Sequence, residues 1–124
     1  MKRALVCLSA AASLMAGAVH AAPASAVDKA FGNTILSTYP DGRKGELWLE
    51  PGGTYSAKGR RGDMSGGHWT VKGSKLCLKQ AKPIGVPFNF CTPIPDAGLT
   101  GTWSAKAVSG EAIKVRLVKG HDGG

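Results

Sequence analysis

The chain has 124 residues, with 16 Lys and Arg against 8 Asp and Glu, which gives a formal net charge of +8. This length allows one domain, and the basic surplus favours anionic partners such as lipid head groups or acidic polysaccharide. No apolar run reaches the roughly 20 residues that a membrane-spanning helix needs, so no transmembrane anchor is expected.

Residues 1–21 have the pattern of a secretory signal peptide. Lys2 and Arg3 form a basic start, an apolar run follows, and small residues then predict cleavage after Ala21, with cleavage after Ala26 as the alternative. Removing the signal leaves 14 basic against 8 acidic residues, a net charge of +6. We expect a periplasmic or secreted protein with no transmembrane segment in the mature chain, for which nucleic acid is not an expected partner.

Signals for β-strands dominate the mature chain. Residues 22–30 are small and polar and predict a flexible lead-in, residues 31–120 predict one all-β domain, and residues 121–124 predict a flexible tail. No segment carries an apolar stripe with a 3.6-residue period, so helix content near zero is expected. Turn-forming Gly, Pro and Asp separate short runs of β-branched and aromatic residues. The predicted strands are 32–39, 43–50, 54–61, 67–72, 75–80, 87–92, 99–107 and 112–119.

Short connections between these strands predict an antiparallel meander, because a parallel pair needs a long crossover. A small closed up-and-down barrel removes the exposed sheet edges and is the preferred architecture. An open twisted sheet or a two-sheet sandwich is the alternative. Whether a barrel interior would be hollow or filled with side chains stays open at this point.

The two cysteines that remain once Cys7 leaves with the signal predict a disulfide. Cys77 and Cys91 lie in neighbouring predicted strands, each between apolar residues that would face the core, so both thiols would share the outer face. Export favours oxidation of such a pair, and closing a loop of about 14 residues contributes roughly 3 kcal/mol. The residues assigned to the inside are Leu47, Leu49, Trp69, Val71, Leu76, Leu78, Phe88, Phe90, Trp103, Ala105, Ile113, Val115 and Leu117.

Motifs that suggest recognition or metal binding have simpler explanations here. The Arg61-Gly62-Asp63 sequence matches the integrin-binding tripeptide, but Gly and Asp are also ordinary turn formers. The isolated His68 and His121 do not supply the four ligands of a structural metal site. No metal and no cofactor is expected.

Residues for catalysis do not converge. Ser65, His68 and Asp63 are close in sequence, but they belong to one loop and strand start, and no Gly-x-Ser-x-Gly motif is present. Glu46 and Glu50 are four residues apart on one predicted strand and are interpreted as part of a solvated outer face. The prediction is a protein that is not an enzyme.

Part of the chain resembles small exported bacterial proteins of unknown function. The elements are Gly67-His68-Trp69-Thr70-Val71, then Leu76-Cys77, then Cys91, within residues 32–92. These proteins are similar to lipocalin-like or avidin-like small barrels in their economy of strands, and Leu99-Thr100-Gly101-Thr102-Trp103 resembles an avidin-like strand. The aromatic lining of a biotin pocket is missing, and the resemblance implies no catalytic residues.

Aromatic and basic residues are the candidate binding groups. Trp48 should face outward or toward a barrel mouth, because Leu47 and Leu49 on either side of it face inward. The candidate ligand-binding residues are Trp48, Tyr55, Trp69 and Trp103. The candidate anion-binding residues are Arg60, Arg61, Lys72 and Lys75, which would form one positive patch if the third to fifth strands are neighbours.

The favoured function is an exported, non-enzymatic binding module. Its partner would be a small amphiphilic ligand in the barrel mouth or an anionic envelope component such as a polymer on the basic face. The alternative is a protein-binding inhibitor of a cell-wall-degrading or other envelope enzyme, which would act through an exposed loop at residues 62–67.

Overall fold

The computed structural model describes residues 26–121 and contains eight β-strands after one short 3₁₀ turn, Asp28–Ala30. The strands are β1 (Thr34–Thr38), β2 (Lys44–Leu49), β3 (Thr54–Lys58), β4 (Met64–Lys72), β5 (Lys75–Lys82), β6 (Phe90–Pro93), β7 (Thr102–Lys106) and β8 (Ala112–Val118). Among these residues, no helix has the length and apolar character to cross a membrane.

The strands form one antiparallel sheet in the order β6-β5-β4-β3-β2-β1-β8-β7. The sheet curls into a nearly closed barrel because β8 returns to pair with β1, and β6 and β7 then lie side by side without a hydrogen-bonded register. The predicted all-β meander of eight strands is confirmed. The seam between β6 and β7 is the place where the barrel stays open along its side.

Alternate connections of the meander lie at opposite ends of the barrel. We call one the open end; it carries the β1–β2, β3–β4, β5–β6 and β7–β8 connections, residues 39–43, 59–63, 83–89 and 107–111. The other is the closed end, where the β2–β3, β4–β5 and β6–β7 connections lie and where the chain enters β1 and leaves β8.

The closed end is filled by the segment that precedes β1. Val27 and Ala30 are fully buried in the hydrophobic core, and the Phe31 ring packs against Trp69 with 5.8 Å between ring centroids. The prediction of a flexible lead-in over 22–30 is therefore wrong for its second half. The sequence of this segment is mostly small and polar, but its two apolar side chains pack into the core and the segment fills this end of the barrel. Residues 22–25 lie outside the described part.

Strand β4 begins at Met64, three residues earlier than predicted, and so includes Gly66 as well as Gly67. The register shifts between these two glycines, and a Cβ on Gly67 would overlap the Lys79 carbonyl oxygen, so only glycine fits the bulge. The loop expected over 62–67 is instead a tight turn over 59–63, in which the Gly59 amide donates to the Asp63 carbonyl at 2.8 Å.

The inward assignments from strand alternation hold, with one exception. Of the residues assigned to the inside, those that lie in strands all face inward. Phe90 lines the interior, and the others are buried in the core or packed against it. Phe88 lies outside β6, in the β5–β6 connection, and is 55% exposed. Alternation predicted its side only under the assumption that the strand reached that far.

Trp48 lies on the outer face but is not exposed. Its indole N–H donates to Thr34 Oγ1 at 2.9 Å, and its ring lies 4.6 Å from the His121 ring. Thr34 in turn donates to the Gly120 carbonyl oxygen at 2.7 Å. The chain beyond β8 thus folds back over Trp48 and leaves it 1% exposed. The predicted tail over 121–124 stays a prediction, since only His121 of it is described and residues 122–124 lie outside the described part.

The predicted disulfide is present. Cys77 and Cys91 are cross-strand partners in β5 and β6, with 4.0 Å between their Cα atoms and 14 residues of sequence separation. Because β6 has only four residues and lies at one edge of the sheet, it pairs with a single strand. The disulfide adds a covalent link to that neighbour.

Candidate ligand-binding cavity

The barrel interior is hollow. A cavity of about 740 Å³ opens at the open end, and all eight strands contribute side chains to its wall. Its apolar lining includes Ile35, Leu47, Leu78, Phe90, Trp103 and Val115. This volume falls within the range of about 300–1,000 Å³ that is typical of small-molecule sites.

Small inward residues create the space. Ser37 lies opposite Gly45 in the sheet, and Ala57 lies opposite Ser65, so each of four neighbouring strands contributes a small residue to the cavity wall. Ala105 continues the pattern on β7. An eight-stranded barrel is just wide enough for its own side chains to fill it or for one small ligand. Small residues at these positions decide between the two outcomes.

The hydroxyl of Tyr55 is a polar group at the floor of the cavity. Tyr55 is the second residue of β3, near the closed end, and is 8% exposed, and burial raises the pKa of its hydroxyl. Within residues 26–121 this hydroxyl makes no hydrogen bond. An unsatisfied buried hydroxyl is energetically unfavourable, so a ligand that offered a hydrogen-bonding partner would gain an interaction at this point.

The four aromatic candidates occupy three different environments. Tyr55 and Trp103 line the cavity. Trp69 lies in the core below it, where its indole N–H donates to the Glu50 carbonyl oxygen at 2.8 Å. Trp48 is on the outer face under the carboxyl-terminal segment. The structure therefore brings two of the four together around one space.

Several lining residues were not identified from the sequence as binding residues. Leu78 and Phe90 were placed inside, but as core, because alternation cannot separate a core-filling residue from one that lines a hollow. Val27 lines the cavity from the segment that fills the closed end, and no sequence pattern indicated it as a binding residue. The small residues at inward strand positions, Ser37, Gly45 and Ala57, were the one available clue.

One arginine connects three turns at the mouth, an arrangement that we call the Arg60 latch. Arg60, in the β3–β4 turn, bonds to both carboxylate oxygens of Glu111 in the β7–β8 turn, and its Nη1 lies 3.4 Å from Asp41 Oδ2 in the β1–β2 turn. Its guanidinium also lies 4.2 Å above the centre of the Tyr39 ring. The hydrogen bond that Arg60 donates holds the pKa of Glu111 below its ordinary value, and the hydrogen bond from Ser109 lowers this pKa further by a smaller amount.

The basic candidates do not form one patch. Arg60 and Arg61 belong to the open end, whereas Lys72 and Lys75 face each other across the β4–β5 turn at the closed end. The nine-residue β4 separates the two groups by about 26 Å. The third to fifth strands are neighbours as supposed, but antiparallel pairing sends successive turns to opposite ends. Arg60 is in addition engaged in the latch.

Apolar side chains surround the mouth. Met64, Ile84, Phe88 and Val108 are exposed by about half or more, and we call them the apolar rim. Met64, Phe88 and Val108 also line the cavity, so the rim is continuous with the interior.

Comparisons with protein-family models, with curated protein sequences and with solved structures find no match to this chain. The resemblance to lipocalin-like or avidin-like barrels stays a prediction. Among residues 26–121, no group of three His, Cys, Asp or Glu side chains is arranged to hold a metal ion. The functional argument therefore depends on the cavity and its mouth.

Proposed function

We propose that the protein is an exported, non-enzymatic binding module that encloses one small amphiphilic molecule inside its barrel. The observation that carries this proposal is the apolar hollow of about 740 Å³ at the centre of so small a domain. Protein interiors are normally packed as densely as organic crystals, and a small domain has little stability to spare. A hollow of this size is therefore best explained by an occupant that fills it.

The lining indicates the chemistry of that occupant. The walls are apolar, the floor offers the Tyr55 hydroxyl, and the entrance is lined by Lys58 and Lys106 together with Asp63. A molecule with an apolar body, a hydrogen-bonding group at its inner end and a polar or anionic outer end would match all three levels. Burying about 250 Å² of apolar ligand surface would contribute roughly 6 kcal/mol before the costs of association.

A fluorescence titration tests the proposal. The amphiphilic dye 8-anilinonaphthalene-1-sulfonate should bind with enhanced emission, and medium-chain and long-chain fatty acids should displace it. Replacing Ala57 by Phe, which points into the hollow, should weaken binding by at least about tenfold, because the added ring takes the space that the ligand needs.

The control places the same ring outside. Ala112 is exposed on β8, on the face opposite its inward neighbour Ile113, so Ala112→Phe should leave affinity unchanged. If Ala57→Phe fails to fold, as judged by circular dichroism, Ala105→Leu provides a smaller obstruction. Equal affinity in wild type and cavity-filled variants, or no dye binding at all, would contradict the proposal.

The inhibitor alternative has less support. It relied on a long exposed loop over 62–67, whereas β4 begins at Met64 and the preceding turn is tight. A tight turn presents few side chains to a partner enzyme. Stoichiometric inhibition of an envelope hydrolase without dye binding would favour that alternative over the one proposed here.

A further inference from the structure

We propose that the open end of the barrel docks on an anionic lipid surface, with the mouth facing the membrane. The ligand-exchange part of this idea rests on the proposed function, because it supposes that the cavity holds an amphiphile. The docking itself stands on the distribution of exposed apolar and charged side chains.

The exposed large apolar side chains of residues 26–121 all lie at one end. They are Ile84 (73% exposed), Val108 (70%), Phe88 (55%) and Met64 (49%). Single exposed apolar residues are ordinary on protein surfaces. Four of them, on two connections and at the start of β4, gathered around one opening, form the kind of patch that marks an interaction site.

Cations surround the apolar rim. At the open end, the connections and the strand residues next to them carry seven cations and three carboxylates, a surplus of four positive charges. At the closed end, the corresponding described residues carry four cations and three carboxylates, a surplus of one positive charge. The cations of the open end are Arg43, Lys44, Lys58, Arg60, Arg61, Lys82 and Lys106, and its carboxylates are Asp41, Asp63 and Glu111.

The acidic groups of the open end are partly neutralised. Arg60 pairs with two of the three carboxylates, Asp41 and Glu111. The cations outside the latch therefore dominate the field in front of the mouth. Clusters of four to eight Lys and Arg beside an apolar surface are typical of segments that bind anionic head groups, and the attraction falls off within about a Debye length.

The rim is continuous with the route into the barrel. Met64, Phe88 and Val108 are at once exposed and part of the cavity wall. With the rim immersed among lipid head groups, an apolar ligand could pass from the bilayer to the cavity without crossing water. A lipid surface accounts for the rim, the charge and the opening together.

Co-sedimentation with lipid vesicles tests the docking. Vesicles of phosphatidylglycerol and phosphatidylcholine in equal parts should retain the purified protein at low salt, and vesicles of phosphatidylcholine alone should not. The double variant Arg61→Ser/Lys82→Ser should reduce partitioning by about tenfold or more, since each cation near an anionic surface contributes substantially. Its matched control, Lys72→Ser/Lys75→Ser, removes the same charge at the closed end and should have little effect.

The apolar part of the rim needs its own variant. Ile84 does not line the cavity and contributes only its backbone carbonyl to the Gln80 side chain, so Ile84→Ser tests insertion without altering the interior. This variant should lower partitioning into the vesicles severalfold. A fluorophore attached at position 84 can also report how deeply this position enters the bilayer, through its interaction with dansyl-labelled lipid.

Three results would overturn the docking proposal: equal loss of vesicle binding in the two charge variants, equal retention on neutral vesicles, or self-association through the rim that Ile84→Ser abolishes in sedimentation velocity. Dye titration of the same proteins without vesicles separates the two proposals. Vesicle binding without dye binding would contradict only the proposed function, and dye binding without vesicle binding would contradict only the docking.

Discussion

The two ends of the barrel are made from the same strands, but they differ in what occupies them. At the closed end, large inward side chains such as Trp69 and Leu49 meet the plug residue Val27, and all three are almost fully buried. At the open end, the inward positions carry small residues such as Gly45 and Ala57, and the large apolar side chains point out around the mouth. Packing for stability and space for a ligand are thus separated along the barrel axis.

The largest effect should come from the closed end. Replacing Trp69 by Ala removes a ring that is 6% exposed, its contact with Phe31 and the donor to the Glu50 carbonyl oxygen. We expect the free energy of unfolding in urea to fall by about 4 kcal/mol. Phe88→Ala, at the open end, should change it by less than about 1 kcal/mol because that ring is largely exposed. Equal effects would remove the contrast between the ends.

The disulfide should rank next, because it holds a short edge strand. Replacing Cys77 and Cys91 together by Ala should lower the free energy of unfolding by roughly 3 kcal/mol for a loop of this size. Hydrogen exchange should rise most in β6 and in the β5–β6 connection that the bond encloses. Uniform exchange across the sheet would mean that the bond does not support this edge in particular.

A smaller effect is expected on the outer face near the closed end. Thr34 is 3% exposed, accepts from the Trp48 indole and donates to Gly120. Thr34→Val keeps the shape but leaves the indole N–H without its partner, so stability should fall by about 1–2 kcal/mol. The exposed Thr70, on β4, provides the control, since Thr70→Val should have an effect within about 0.5 kcal/mol.

Tyr55 should influence binding more than folding. The Tyr55→Phe variant lacks a buried hydroxyl that has no partner among the described residues. The variant without ligand should therefore be as stable as the wild type or slightly more stable. Ligands with a hydrogen-bonding inner end should bind about three- to tenfold more weakly. A purely apolar ligand of the same size should be unaffected, and identical losses for both ligands would contradict the role of the hydroxyl.

The smallest effect concerns the Arg60 latch and depends on pH. Because its pKa in the folded protein lies below the ordinary 4.5, Glu111 contributes stability above that value, and the contribution is lost as the pH falls through the lowered pKa. Arg60→Gln should raise the pKa of Glu111, as measured by NMR titration of its carboxyl carbon. The difference in melting temperature between wild type and Arg60→Gln should be present at neutral pH and shrink in acid.

Strand alternation predicted the features that depend on nearby residues and left the others open. Turn signals and the two-residue period located all eight strands, the inward set apart from Phe88 and the Cys77–Cys91 pair, because these properties depend on neighbours in the chain or across one hairpin. They also predicted that Trp48 faces outward or toward a barrel mouth, but they did not predict its burial beside His121.

The remaining features depend on residues that are far apart in sequence and become neighbours only when the sheet curls. Val27 closes one end, the latch joins Arg60 to Glu111, and Lys72 lies far from Arg61 because antiparallel pairing separates their turns. The hollow itself arises from small inward side chains on several strands. No local pattern encodes it, since the empty volume exists only between strands that the tertiary fold brings face to face.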